Sequence, residues 1–405
     1  MTRLSHYCRC GLRQRGLSLI EIMVALAIAA LLLLGLSQIF VGSKNGYRLQ
    51  EGMSRVQENA RFVLQYLEEN VRMAGYMGCG NDVDLTTKPG TPPSFLNHLR
   101  PITSPLGVVP IVQNGLTSQE RFQRPIEGFT YTGSSTDGTQ PTVGAATDWT
   151  PALPAGANIA SPVQGSDILV LRIISDASTA LLGDFVMASG RFNVADPNFV
   201  KVGEVYAITN CANARIFKAS ARTAGSNPVV AGAADNLLFL TADRSSTWTG
   251  TFANLQFNQS GTTLNAEVHR AQYMAIYVGL RGTAEPVLKV VSAAGVDELA
   301  DNVESMKVWY GVDTNGDGAV DAYLSANEGI LADTSSETVR DANWRQVLSV
   351  RIGLLMRSQD RASVGIHGTD NTYKLFDLPM TRPVDGRFRD VYTSTIALRN
   401  RLSNY

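Results

Sequence analysis

Apolar residues fill the segment from Leu17 to Leu36, LSLIEIMVALAIAALLLLGL, almost without a break. A helix rises about 1.5 Å per residue, so roughly twenty such residues cover a bilayer core, and the pattern predicts one membrane span. Apolar positions then recur at three- and four-residue steps through Leu49, Met53, Val56, Ala60, Val63, Leu67, Val71 and Ala74. That period marks one face of a helix. The opposite face carries Arg55, Glu58, Arg61, Glu68, Glu69 and Arg72, and Gly75 supplies a stop. A single helix running on to about Ala74 is therefore expected. Gly35, Gly42, Gly46 and Gly52 interrupt its proximal part, each at a cost of about 1 kcal/mol relative to alanine. They make either a soft stretch that can lengthen or bend, or a weak helix rescued by packing.

After Cys79 the pattern changes. Mixtures of Pro, Gly, Ser and Thr from Asp82 to Pro110 and from Thr130 to Gly165 read as long loops. Short runs rich in branched and aromatic residues follow, at Ile168 to Ile174, Val205 to Thr209, Leu237 to Leu240, Tyr273 to Leu280, Val287 to Val291, Met306 to Tyr310, Val347 to Leu355 and Val391 to Leu398. These are strand signals. The expected class is α+β, a long N-terminal helix packed on an antiparallel β-sheet head with loop insertions, its strands in an earlier and a later set. Trp309, Tyr310 and Trp344 are read as core residues.

Composition agrees with a folded head: 405 residues and 44% hydrophobic content suffice for a sizeable core. The formal charge of -1 argues against the basic surface that non-specific nucleic-acid binding needs, so no nucleic-acid partner is expected. Arg3, Arg9, Arg13 and Arg15 precede the apolar run with no acid among them. Cationic flanks stay in the cytoplasm, which places everything after about residue 41 outside. Cys8 and Cys10 lie before the span, and Cys79 and Cys211 after it. Only the second pair would reach an oxidising compartment, and a disulfide between them is expected, two free buried thiols being the alternative. In the chain-entropy model, closing a loop of that length contributes at most about 5 kcal/mol.

A secretory signal peptide would have a shorter apolar run and a small-residue cleavage site after it. Here Gly16 precedes the run and a carboxylate, Glu21, sits inside it. An acid within a lone span calls for a partner. The stretch RGLSLIEIMVALAI resembles the class III leader junction of type IV prepilins. The resemblance implies that a prepilin peptidase cuts after Gly16 and methylates the new amino terminus, Leu17, where the family usually has Phe. It also implies that Glu21, fifth in the mature chain, meets a neighbouring subunit's terminal amine. Opposite charges in a low-dielectric layer attract strongly and relieve each other's desolvation, which supports that role independently. The expected divisions are a cleaved cytoplasmic leader (1–16), the transmembrane part of the helix (17–41), a stalk packing on the head (42–75) and a β-rich head (76–405).

RMAGYMGC, KVWYGVDTNGDGAVDAYL and TIALRN, spread over the chain, are similar to the PilW group of large minor pilins. Membership of that group implies a minor pilin that joins other minor pilins in a tip complex, primes assembly of the major pilin and supports display of a tip adhesin. Its path would lead from the inner membrane, crossed once with the head in the periplasm, to the pilus tip. A minor pseudopilin of a type II secretion system shares the leader, Glu21 and the architecture, and is the alternative. A membrane-anchored enzyme or receptor with a coincidental leader is the third reading. No H-E-x-x-H, G-x-S-x-G or G-x-x-x-x-G-K-[ST] motif occurs, and His98, His269 and His367 have no Ser or Cys placed to recruit them, so no enzyme is expected.

One motif retains two readings. DTNGDGAVD places Asp313, Asn315, Asp317, the carbonyl of Ala319 and Asp321 at the ligand positions of a calcium loop, with glycine at the sixth. Leu324 replaces the bidentate Glu of an EF-hand, and strand signals flank the loop. The other reading is a hairpin turn whose Asn-Gly and Asp-Gly pairs supply positive φ angles. No cofactor is required, and calcium is the one candidate.

Overall fold

The computed structural model describes residues 16, 18–78, 80–81, 95–97, 117–134, 141–154, 156–186, 191–210, 214–221, 227–231, 235–236, 266–282, 284–361 and 371–401. Helix α1 spans Leu19–Arg72, 54 residues without interruption. It closes on Met73, with Ala74 leaving the helix to bridge Ile173 and Gly75 turning at φ 81°. The proximal glycines do not break it. A Cβ built on Gly35, Gly42 or Gly46 meets nothing within 4 Å, so that part of the helix stands clear of the head.

In chain order the remaining elements are β1 (Tyr76–Met77), β2 (Gly80–Asn81), β3 (Phe95–Asn97), β4 (Ile126–Tyr131), β5 (Trp149–Thr150), β6 (Ile168–Val186), β7 (Arg191–Val194), β8 (Val205–Thr209), β9 (Ala214–Lys218), β10 (Val229–Val230), β11 (Glu267–Arg281), β12 (Glu285–Ser292), β13 (Gly295–Asp301), β14 (Val303–Val312), β15 (Ala322–Leu324), α2 (Glu337–Arg345), β16 (Val347–Arg361), β17 (Thr372–Leu375), β18 (Leu378–Thr381) and β19 (Arg387–Ala397). The run from Leu237 to Leu240 lies outside the described residues.

The long antiparallel pair β6 and β11 is the spine of an 11-stranded sheet. At one end β4 and β5 extend it beside β6, and β12 and β13 beside β11. At the other end β7 and β10 extend β6, while β8, β9 and β3 continue from β11. Only β3 and β9 pair in parallel among the described strands. A second sheet, ordered β15-β14-β16-β19, is antiparallel throughout. Most described strands thus fall into two sheets, the larger taken from β3 to β13 and the smaller from β14, β15, β16 and β19.

The principal core joins both sheets to α1. Val56, Ala60, Val63, Leu67 and Val71 from the helix meet Leu169, Leu171 and Ile173 of β6, Ile276 and Val278 of β11, and Val308, Tyr310, Ile352, Leu354 and Ile396 of the smaller sheet. The helix thus lays one buried stripe on a core that both sheets share, and its opposite face stays exposed. Tyr310 stands edge-on to Trp344 at 4.8 Å between centroids, both buried as expected. Trp309 faces the other way, half-buried, and stacks on Phe376 of the β17–β18 turn at 4.7 Å. Alternation along β14 dictates this, since neighbours on a strand point to opposite faces.

Candidate functional site

The helix N-terminus is closed by its own side chains. Ser18 is the N-cap, its hydroxyl accepting from the Glu21 amide at 3.3 Å. The Glu21 carboxylate in turn accepts from the Ser18 amide at 2.9 Å and from its hydroxyl at 3.0 Å. This reciprocal pair is a capping box, which satisfies two donors that a helix start leaves without intrahelical partners. The S-x-x-E spacing that signals this cap is present in the sequence, where Glu21 stands out first as an acid among apolar residues. Gly16 lies exposed just ahead of this turn, and a Cβ there would touch nothing. Leu17 lies outside the described residues. Leu19, Ile20, Met23, Leu26, Leu31 to Leu34, Ile39 and Phe40 are all exposed, an apolar surface that suits lipid or neighbouring helices and not water.

The distal end of α1 is fastened at several points. The Asn400 side chain donates to the Arg72 carbonyl at 3.1 Å. Thr209 at the end of β8 donates through its hydroxyl to the Met77 carbonyl at 3.0 Å, and a side chain on Gly78 would collide with Thr209. RMAGYMGC and TIALRN, far apart in sequence, thereby meet. Cys79 and Cys211 lie outside the described residues, one position beyond Gly78 and two beyond Thr209.

The loop at 313–321 is a tight turn between β14 and β15. Buried Asp313 accepts from the amides of Gly316 at 2.6 Å and Gly318 at 2.8 Å. Asp321 accepts from the Thr314 hydroxyl and amide, both at 2.7 Å, and these bonds hold its carboxyl below the usual range. Asn315 donates to Asp317 and Asp321, each at 3.2 Å. Gly316 and Gly318 have φ near 80°, as Asn-Gly and Asp-Gly turns require. The oxygen-bearing side chains of the motif are thus gathered in one loop. Among the described residues no three His, Cys, Asp or Glu side chains converge as a metal site. His269 is buried, with its Nδ1 2.9 Å from the Ser175 carbonyl. His98 and His367 lie outside the described residues.

Two buried ionic clusters were not apparent in the sequence, because their members are scattered along it. In the first, Glu127 meets Arg124 at 2.6 Å and Arg172 and Arg340 at 2.8 Å. Arg124 also reaches Glu337 and Asp341 of α2, both at 2.6 Å, and so ties that helix to β4. Burial alone would raise the Glu127 carboxyl, but the three guanidiniums reverse this and hold it well below the carboxylate range. In the second cluster, Glu304 of β14 receives Arg389 of β19 at 2.8 Å and Arg357 of β16 at 3.3 Å, with Arg382 at 3.9 Å. Asp385 takes Arg389 at 2.7 Å and Arg387 at 3.5 Å.

Two family models match the chain. The prokaryotic N-terminal methylation motif covers residues 11–37, which contain Gly16 and the capping box. Residues 277–400 match the type IV pilus-assembly protein W model. That second segment runs from the end of β11 through Asn400 and contains the whole smaller sheet and the loop at 313–321. No curated protein and no solved structure matches.

Proposed function

From the premise that the chain is a PilW-like type IV pilin with a class III leader, we propose that it acts as a minor pilin in a complex at the filament tip. The two matches make it a membrane-anchored, type IV pilus-related structural protein, processed through its leader and assembled with other pilins. In that complex it joins other minor pilins, primes assembly of the major pilin and supports a tip adhesin. The observation that carries it is the division of α1. Its proximal half presents bare apolar surface for neighbouring helices, and its distal half is packed along one face on a large head whose eleven-stranded sheet would obstruct repetition along a dense filament.

The same reading assigns Gly16 and Leu17 to cleavage and methylation, Glu21 to pairing with a neighbour's terminal amine, and Cys79 with Cys211 to a disulfide. Contact between Gly78 and Thr209 supports that last pairing. Site-specific crosslinking from exposed Phe62 and Ile39 in pilus-producing cells tests the proposal. Adducts with other minor pilins, and pili restored in number by the wild-type chain in a deletion strain, are expected. Normal piliation in the deletion strain would overturn the priming role.

A further inference from the structure

Between the proximal part of the packed helix and the end of β16 lies a cleft of about 710 Å³, lined by Arg48, Arg55, Glu58, Asp301, Arg357 and Arg361 among others. Its charges are unequally matched. Arg55 is bridged to Glu51, and Asp301 is held by Arg281 at 2.7 Å. Arg48 and Arg361 are exposed and carry no acid among the described residues. Behind them sits the Glu304 cluster, where four guanidiniums (Arg357, Arg382, Arg387, Arg389) share two carboxylates (Glu304, Asp385). The Arg357 side chain, only 3% exposed, lines the cleft, and its buried Nε has no acceptor. With Glu51, Glu58 and Asp301 counted, seven guanidiniums in and behind the cleft face five carboxylates, a surplus of positive charge that a bound anion would offset.

The position of the cleft selects the anion. Arg48 lies seven residues beyond Val41, the end of the expected transmembrane part, hence about 10 Å further along a helix. The headgroup layer occupies roughly the first 5 to 8 Å outside the hydrocarbon core, and an arginine side chain reaches back across the difference. Lys44 stands within that layer. We propose that this cleft binds the phosphate of an anionic phospholipid of the membrane that anchors the chain. Arg48 and Arg361 make the contacts, with the Glu304 cluster supplying positive charge behind them, so the head is seated on the bilayer before the subunit enters a filament. The proposal rests on α1 spanning the membrane.

The test uses the full chain in nanodiscs of phosphatidylcholine alone or with one-third phosphatidylglycerol, read by hydrogen exchange over residues 48–59 and 355–361. Recovery of the chain in the nanodisc fraction checks the anchor separately, and failure there would refute the membrane reading instead. Slower exchange with phosphatidylglycerol is expected, with half-saturation shifted roughly tenfold or more in the Arg48→Gln, Arg361→Gln double variant. Both side chains are exposed, so an unchanged Tm should accompany the shift. Equal exchange in the two lipid mixtures overturns the proposal. The same protection from millimolar inorganic phosphate in phosphatidylcholine discs overturns the lipid source, as does protection obtained only when an acidic partner pilin is added.

Discussion

Glu21 is occupied before any partner arrives. Its carboxylate closes the capping box with Ser18, so the isolated subunit holds the acid in a hydrogen-bonded state inside an apolar stretch. Replacing it by Ala should leave membrane insertion intact, because an intramembrane carboxylate is removed and not added. Surface pili and crosslinks to other minor pilins should fall together, by microscopy and immunoblot at matched expression. The Ser18→Ala form loses only a cap, worth about 1 kcal/mol, and should still assemble. Normal piliation by Glu21→Ala would show that assembly rests on the head. The buried Glu127 behaves differently. Glu127→Gln removes the carboxylate that Arg124, Arg172 and Arg340 share, although Arg124 keeps Glu337 and Asp341, and should lower the stability of the head by about 3 kcal/mol, measured by urea unfolding. Its carboxyl is depressed in the folded state, so the stability it contributes is complete above the ordinary carboxylate range, near pH 4, and is lost as pH falls through and below it. Glu337 and Asp385 are shifted in the same direction, so wild-type stability should decline steeply in that acid range and Glu127→Gln less steeply.

At the scale of elements, α1 and several core strands were legible because apolar spacing differs between helix and strand. Val205–Thr209 matches its expected run, and the strand runs beginning at Ile168, Tyr273, Val287, Met306 and Val347 lie within longer strands. Helix α2 was missed, since Trp344 is its one buried side chain and no apolar period marks it. The β17–β18 hairpin was missed as well: its strands are short, and what holds it is Leu375 and Met380 against Leu355 of β16. The ionic clusters were illegible because nothing in the order of residues brings Arg389 to Glu304. Two elements still carry alternatives. If softness of the proximal helix matters, Gly42→Ala and Gly46→Ala should each stabilise it by about 1 kcal/mol, slowing hydrogen exchange while reducing piliation. Unchanged piliation would favour rescue by packing. For the loop at 313–321, millimolar calcium should raise the Tm of the intact protein by mass action, and Asp313→Ala should abolish the response. No shift and no bound metal by mass spectrometry would leave the turn reading.

For the whole molecule, processing and covalent closure can be read in one measurement. Intact mass of the membrane form should show loss of residues 1–16, one added methyl on Leu17, and two hydrogens fewer than the reduced chain if Cys79 and Cys211 are joined. Retention of the leader in functional protein would count against the pilin assignment. Burial of Val56, Ala60, Val63, Leu67 and Val71 along four turns of one helix also has a mechanical consequence. Tension drawn through the proximal helix reaches the head along the helix axis, so these five side chains resist sliding together instead of peeling away in turn. A subunit held in an assembly through that helix would then stretch first in the uncovered, glycine-interrupted part of α1, leaving the folded head unstrained until the helix itself yields.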